Sequence, residues 1–155
     1  MVKLISGTEI AKKVHDSLEE KVSLLKKKGL RSPCLAVILV GFDPASEVYV
    51  SHKRKKCEKI GFISKFFPLK ENEPEKKLHN LIRELNESDD VDGILLQLPL
   101  PKGFDTDKAL DLISPDKDVD GLTSQNQGLL LQKRASFIPC TCLLYTSPSP
   151  RDGLL

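Results

Sequence analysis

Residues 34–40 read Cys-Leu-Ala-Val-Ile-Leu-Val, an apolar run with no polar position. A strand with one wet face alternates apolar and polar residues; an unbroken run must bury both faces. That is the condition of a central strand in a parallel sheet. The flanking sequence agrees. Upstream, Ser6-Gly7-Thr8-Glu9 has the form of a capping box. Ile10, Val14, Leu18, Val22 and Leu25 then recur at helical spacing, and the helix runs to about Lys28 before Gly29. Downstream, the loop Gly41-Phe42-Asp43-Pro44 leads into a second helix over about 45–60, stopped by Gly61. A short strand follows over 63–67. Pro74 suits the first turn of a third helix, which runs to about Asn86. The run 91–98 is the next strand, and 105–113 is a fourth helix with Asp105 as its cap. Helix and strand alternate throughout, which predicts an α/β fold with a mostly parallel, two-faced sheet and right-handed crossovers. Ligands in such sheets bind beyond the carboxyl ends of the strands, here near Val40-Gly41 and Leu98-Pro99.

Composition removes several function classes. The 24 basic residues face 22 acidic ones, and Trp is absent. Neither a basic excess nor stacking platforms are on offer for nucleic acid. The four cysteines, Cys34, Cys57, Cys140 and Cys142, form no C-x-x-C pair and have no His at metal spacing, so no metal is expected. Free thiols point to a reducing compartment. The start, MVKLISGTEIAKK, has no apolar signal core, and no apolar run approaches the roughly 20 residues that cross a bilayer. A cytoplasmic protein without membrane partners is expected. No G-x-G-x-x-G or G-x-x-x-x-G-K-[ST] occurs.

Three constellations carry possible chemistry. On the second helix Tyr49 and Lys53 lie one turn apart, with Lys56 on the same side. An amine there can move protons or hold developing negative charge; the alternative is a solvated basic face with one inward lysine. Gln97 interrupts the apolar run Leu95-Leu96-Gln97-Leu98-Pro99. Buried, it must find hydrogen-bond partners; otherwise it faces outward. Asp116, Asp118 and Asp120 alternate in Pro115-Asp116-Lys117-Asp118-Val119-Asp120-Gly121. The segment lacks the glycine and the later glutamate of a calcium loop. It is either a solvated acidic turn or the source of one carboxylate that pairs the N–H donors of a heterocycle.

Together these motifs resemble a known family. G41-x4-S46-x2-Y49-V50-x2-K53-x-K55-x5-G61, the QLPLP of 97–101 and the PDKDVDG of 115–121 look like the ordered hallmarks of the methylenetetrahydrofolate dehydrogenase/methenyltetrahydrofolate cyclohydrolases. Phe137-Ile138-Pro139-Cys140-Thr141 resembles the segment entering that family's second domain. The resemblance implies a three-layer α/β/α folate-binding domain over residues 1–141, with the nucleotide-binding Rossmann domain missing. It implies oxidation of 5,10-methylenetetrahydrofolate with NADP and hydrolysis of the 5,10-methenyl form to 10-formyltetrahydrofolate by the intact enzyme, a homodimer. Lys53 would be the main catalytic group of hydrolysis. Gln97 would hold Lys53, Tyr49 would pack on the folate and help place the lysine, and Asp120 would accept from the pterin. Leu98 and Pro99 would line the substrate site. No cofactor is expected to bind within this chain. The tail 142–155 departs from the family and reads as disordered or foreign to the fold. The other reading of the chain is a non-catalytic folate-binding or interaction fragment.

Overall fold

The structure, a computed structural model, describes residues 6–134 and 137–139. The remainder of the Phe137–Thr141 segment and the tail 142–155 lie outside the described residues. The elements are helix α1 (Gly7–Lys27), strand β1 (Cys34–Val40), α2 (Pro44–Lys59), β2 (Ile63–Leu69), α3 (Glu75–Glu87), β3 (Gly93–Leu96), α4 (Thr106–Asp111) and α5 (Ser124–Leu131). The predicted alternation is present, with one helix added after the acidic segment.

The sheet is parallel in the order β2-β1-β3, so the apolar run 34–40 is its central strand. Its residues divide strictly by parity. Ala36, Ile38 and Val40 pack with Leu78 and Ile82 of α3 and with Ala109 of α4. Val37 and the partly buried Leu35 pack with Val50 of α2. The period-two alternation of a strand thus serves two helical layers, and no position is left for a polar side chain. The layers themselves follow from chain direction. The β1-α2-β2 crossover moves one way across the sheet and β2-α3-β3 moves back. Crossovers of one hand therefore place α2 and α3 on opposite faces.

The edge at β2 is blunted. Ile63 donates to Pro33 O and Gly41 donates to Leu69 O, so odd-numbered positions of β2 face β1. Pro68 then falls on the outward edge, where its missing N–H removes a donor that a second strand would need. At the amino ends of the strands, Arg31 grips both carboxylate oxygens of Asp92, at 2.6 and 2.8 Å. Asp92 also accepts from Cys34 N at 2.8 Å, which ties the start of β1 to the approach of β3. The arginine holds the Asp92 carboxyl below the usual range.

Three expectations need correction. Strand β3 is four residues long, not the predicted 91–98. Its pairing ends at Leu96, so Gln97 stands just past the carboxyl end. Pro74 is the cap of α3, one position before its first turn. The α1 stripe is apolar as read, but only Val22 is buried, where it meets Gly61; Ile10 and Val14 stay about half exposed. Ser6 does cap α1, accepting from Glu9 N. No helix among the described residues is long and apolar enough to cross a membrane.

Candidate active site

The strand order reverses at β1: β2 lies on one side and β3 on the other. The crevice beyond the carboxyl ends of β1 and β3 is therefore the topological switch point, where α/β sheets bind ligands. Helix α2 starts at its rim. Asp43 caps the helix through Ser46 N at 2.8 Å, which fixes its first turn directly after β1. Two turns on, Lys53 is partly buried and its Nζ stands 3.4 Å from Gln97 Oε1. The other end of the Gln97 amide donates to Leu98 O at 2.7 Å, which orients the oxygen toward the lysine. The Leu98–Pro99 peptide is cis. Tyr49, one turn before Lys53, is 64% exposed, a ring face open to solvent.

The basic run on α2 divides as its spread round the helix requires. Lys55 and Lys56 are exposed. Arg54 is a second partly buried cation, which the expectation of one inward lysine missed. It covers the Phe66 ring at 5.0 Å on the β2 side, in a groove that includes none of Lys53, Gln97 or Asp120.

The acidic segment is neither a calcium loop nor a uniformly solvated turn. Among the described residues no cluster could hold a metal ion. Residues 117–118 run beside β3 as an isolated parallel bridge, with Ile94 donating to Lys117 O at 2.7 Å. Each side chain then takes its own direction. Asp116 is exposed. Lys117 donates to the carbonyls of Leu85, Asn86 and Ser88, at 3.1, 2.8 and 2.8 Å, and so satisfies the end of α3. Asp118 is buried and accepts from Thr123 N and the Asn126 amide, both at 2.9 Å. Val119 lies on Gly93, where a Cβ would collide with it. Asp120 is left partly buried and within electrostatic reach of Lys53. Burial pushes its carboxyl above the ordinary value, Lys53 pulls it down, and Asp118 pushes it up.

A lysine, an amide that orients it and a shielded carboxylate thus converge at the switch point. The family model for the catalytic domain of tetrahydrofolate dehydrogenase/cyclohydrolase matches residues 5–120, more than half of the chain. The chain belongs to this family. It is 49% identical over 144 residues to the bifunctional protein FolD of Aquifex aeolicus, a match covering 92% of this chain and 50% of the relative. The crystal structure of the bifunctional FolD of Campylobacter jejuni superposes with a TM-score of 0.83 at 46% identity, over 87% of this chain and 48% of that one. The Trypanosoma brucei dehydrogenase-cyclohydrolase, solved with NADP and an inhibitor, gives 0.85 at 35% identity, over 91% and 48%. The chain spans about half the length of these relatives.

Within this family domain, sequence reading brought out Tyr49, Lys53, Gln97 and Asp120. The structure joins Lys53 to Gln97 directly and to Asp120 electrostatically; Tyr49 stands one turn away on the open side. What the sequence did not disclose is α5 and its buried pair Thr123 and Asn126. The helix is short, contains Gly128 and has no apolar stripe, so periodicity fails there. The available signal was Thr123, a good cap that accepts from Asn126 N at 3.2 Å.

Proposed function

We propose that this chain is the folate-binding catalytic domain, residues 1–141, of a bifunctional methylenetetrahydrofolate dehydrogenase/methenyltetrahydrofolate cyclohydrolase. In this reading Lys53 is the main catalytic group of the hydrolytic step. The carrying observation is the 3.4 Å approach of Lys53 to Gln97 at the switch point, with Asp120 within electrostatic reach of the same amine. Tetrahydrofolate enters with its pterin toward Asp120, whose carboxylate pairs the adjacent N–H donors of the ring. Tyr49 packs on the folate, and Leu98 and Pro99 border it. The one-carbon bridge then lies near Lys53. Water adds to the methenyl carbon and gives up one proton through the lysine. The hydroxyl so formed loses its proton as the formyl C=O forms, the bond from that carbon to N5 breaks, and N5 takes up a proton, so that 10-formyltetrahydrofolate and one released proton result. Gln97 keeps the amine aimed, because its own amide is held by Leu98 O.

We assign NADP to the intact enzyme, on the strength of the T. brucei relative solved with that cofactor. In this reading the dinucleotide is not held by the described residues. A pyrophosphate needs free N–H groups at a helix start. The starts of α1, α2, α4 and α5 are each capped by their own side chain, from Ser6, Asp43, Asp105 and Thr123, and the start of α3, which has no side-chain cap, carries Glu75 in its first turn. Two of those caps are carboxylates, which repel phosphate. We therefore assign the seat of the nicotinamide cofactor to a part of the intact enzyme outside the described residues.

The test is the hydrolysis of 5,10-methenyltetrahydrofolate by the purified chain, followed by loss of its absorbance, beside a Lys53→Met control. Turnover that disappears in the control is expected. Binding with no turnover in either protein would favour a non-catalytic folate-binding fragment.

A further inference from the structure

Asp118 is 2% exposed, yet among the described residues no cation forms a salt bridge with it. A buried carboxylate is costly unless hydrogen bonds satisfy it. Here one oxygen, Oδ2, accepts from both Thr123 N and Asn126 Nδ2. Asn126 is itself buried; its amide also donates to Pro115 O at 2.9 Å, and its backbone N donates to Thr123 Oγ1. The knot thus joins Pro115 and Asp118 to the first turn of α5, with Asp120 and Gly121 between Asp118 and Thr123. Burial pushes the Asp118 carboxyl up, but the Thr123 and Leu122 N–H groups and the Asn126 amide outweigh it and leave the group below the usual range. The carboxylate therefore stays charged two residues from Asp120.

We propose that Asp118 is a positioning residue, whose buried carboxylate ties the turn to Thr123 and Asn126 and sets both the place and the electrostatic setting of Asp120. What Asp120 binds rests on the folate reading; the tie and the charge do not. The charged groups facing Asp120 are Lys53 from α2 and Asp118 from its own segment. Gln97, beyond β3, is neutral, and Lys117 is turned away to the α3 carbonyls. An asparagine at 118 keeps an oxygen for both donors but removes the charge, so it separates charge from shape.

The experiment compares the full chain with its Asp118→Asn and Asn126→Ala variants. Two readouts are taken: the titration midpoint of the Asp120 carboxyl by carbon NMR without ligand, and tetrahydrofolate affinity by calorimetry. In Asp118→Asn the Asp120 midpoint is expected to fall, since a neighbouring negative charge has gone. In Asn126→Ala, which loosens the tie but keeps the charge, affinity is expected to fall about tenfold, the scale of one misplaced hydrogen bond to a charged group. If Asp118→Asn does not fold, Asn126→Ala carries the test by a shifted midpoint or reduced affinity. Unchanged midpoint in Asp118→Asn, or unchanged midpoint and affinity in folded Asn126→Ala, would overturn the proposal. Absence of tetrahydrofolate binding by the unaltered chain would instead count against the folate reading, while the midpoint still decides the role of Asp118.

Discussion

Individual side chains carry the chemistry, and their surroundings rank them. Lys53 is partly buried beside Gln97, whereas Lys55 and Lys56 are exposed on the same helix. Lys53→Met is expected to lower hydrolysis of methenyltetrahydrofolate by about 10²–10⁴, the usual loss on removing a proton-transfer group. Lys55→Met and Lys56→Met should change it little, and equal losses in all three would return the helix to a merely basic surface. The three acids separate in the same way. Asp120→Ala is expected to weaken tetrahydrofolate binding by about 1–3 kcal/mol, because the pterin N–H groups lose their acceptor. Asp116→Ala, at an exposed position, should stay close to the unaltered affinity in calorimetry. Pattern alone brought Lys53, Gln97 and the three acids forward as candidates and left a solvated reading open for each; the family resemblance, not spacing, singled out Lys53, Gln97 and Asp120. Asp118 was legible as an acid but not as a buried one. Its partners Thr123 and Asn126 lie on a helix whose composition gives no amphipathic signal, so nothing marked where its hydrogen bonds would go.

Elements place these side chains, and here the sequence was most informative where burial is two-sided. The run 34–40 admits one reading because every position must meet a packed layer, and β1 takes that place without a register choice. Beyond Leu96 the apolar character continues but the strand pairing does not: Gln97 gives a last backbone hydrogen bond to Ile38 O at 2.9 Å, and Leu98 packs on the core shared with α3 and α4. Apolarity marks burial, not hydrogen bonding, so it extended the strand too far. Gly93 shows what pattern alone could not supply. It has an ordinary strand position opposite Leu35, yet its missing side chain is the space that Val119 occupies. Gly93→Ala is expected to destabilise the chain by about 1–3 kcal/mol, the usual cost of overpacking, as measured by urea unfolding. Because Val119 adjoins Asp120, tetrahydrofolate affinity should fall in the same variant. Unaltered stability together with unaltered affinity would mean that the acidic segment does not depend on close contact with β3.

At the scale of the whole molecule, packing and charge decide what holds the fold together. The apolar face of α1 was also legible only in part: periodicity found the stripe, but nothing in one sequence says which stripes find a partner, and Ile10 and Val14 remain largely exposed. The carboxylates divide by sign. Asp92 and Asp118 lie below the ordinary value. Their contributions are present above the unfolded carboxylate range and are lost as pH falls through their folded values. Asp120 is the opposite case. Burial raises its carboxyl, with Asp118 adding to the rise and Lys53 opposing it. A raised folded value means that its contribution is full at low pH and is lost as pH rises through that value. At neutral pH the charged form of Asp120 is thus less favoured in the fold than in the unfolded chain, and in the folate reading a ligand would supply the donors it lacks. Asp120→Asn is expected to raise the thermal midpoint at pH 7 while weakening tetrahydrofolate binding. The gain should shrink as pH falls and vanish below about 3.9, where the wild-type side chain is neutral in both states. Tetrahydrofolate should narrow the gap between the two proteins by stabilising the unaltered chain more. Thermal scans across pH, with and without ligand, decide the matter. A variant no more stable than the unaltered chain at pH 7 would show that Lys53 fully offsets the burial of Asp120, and that recognition at this site carries no cost in stability.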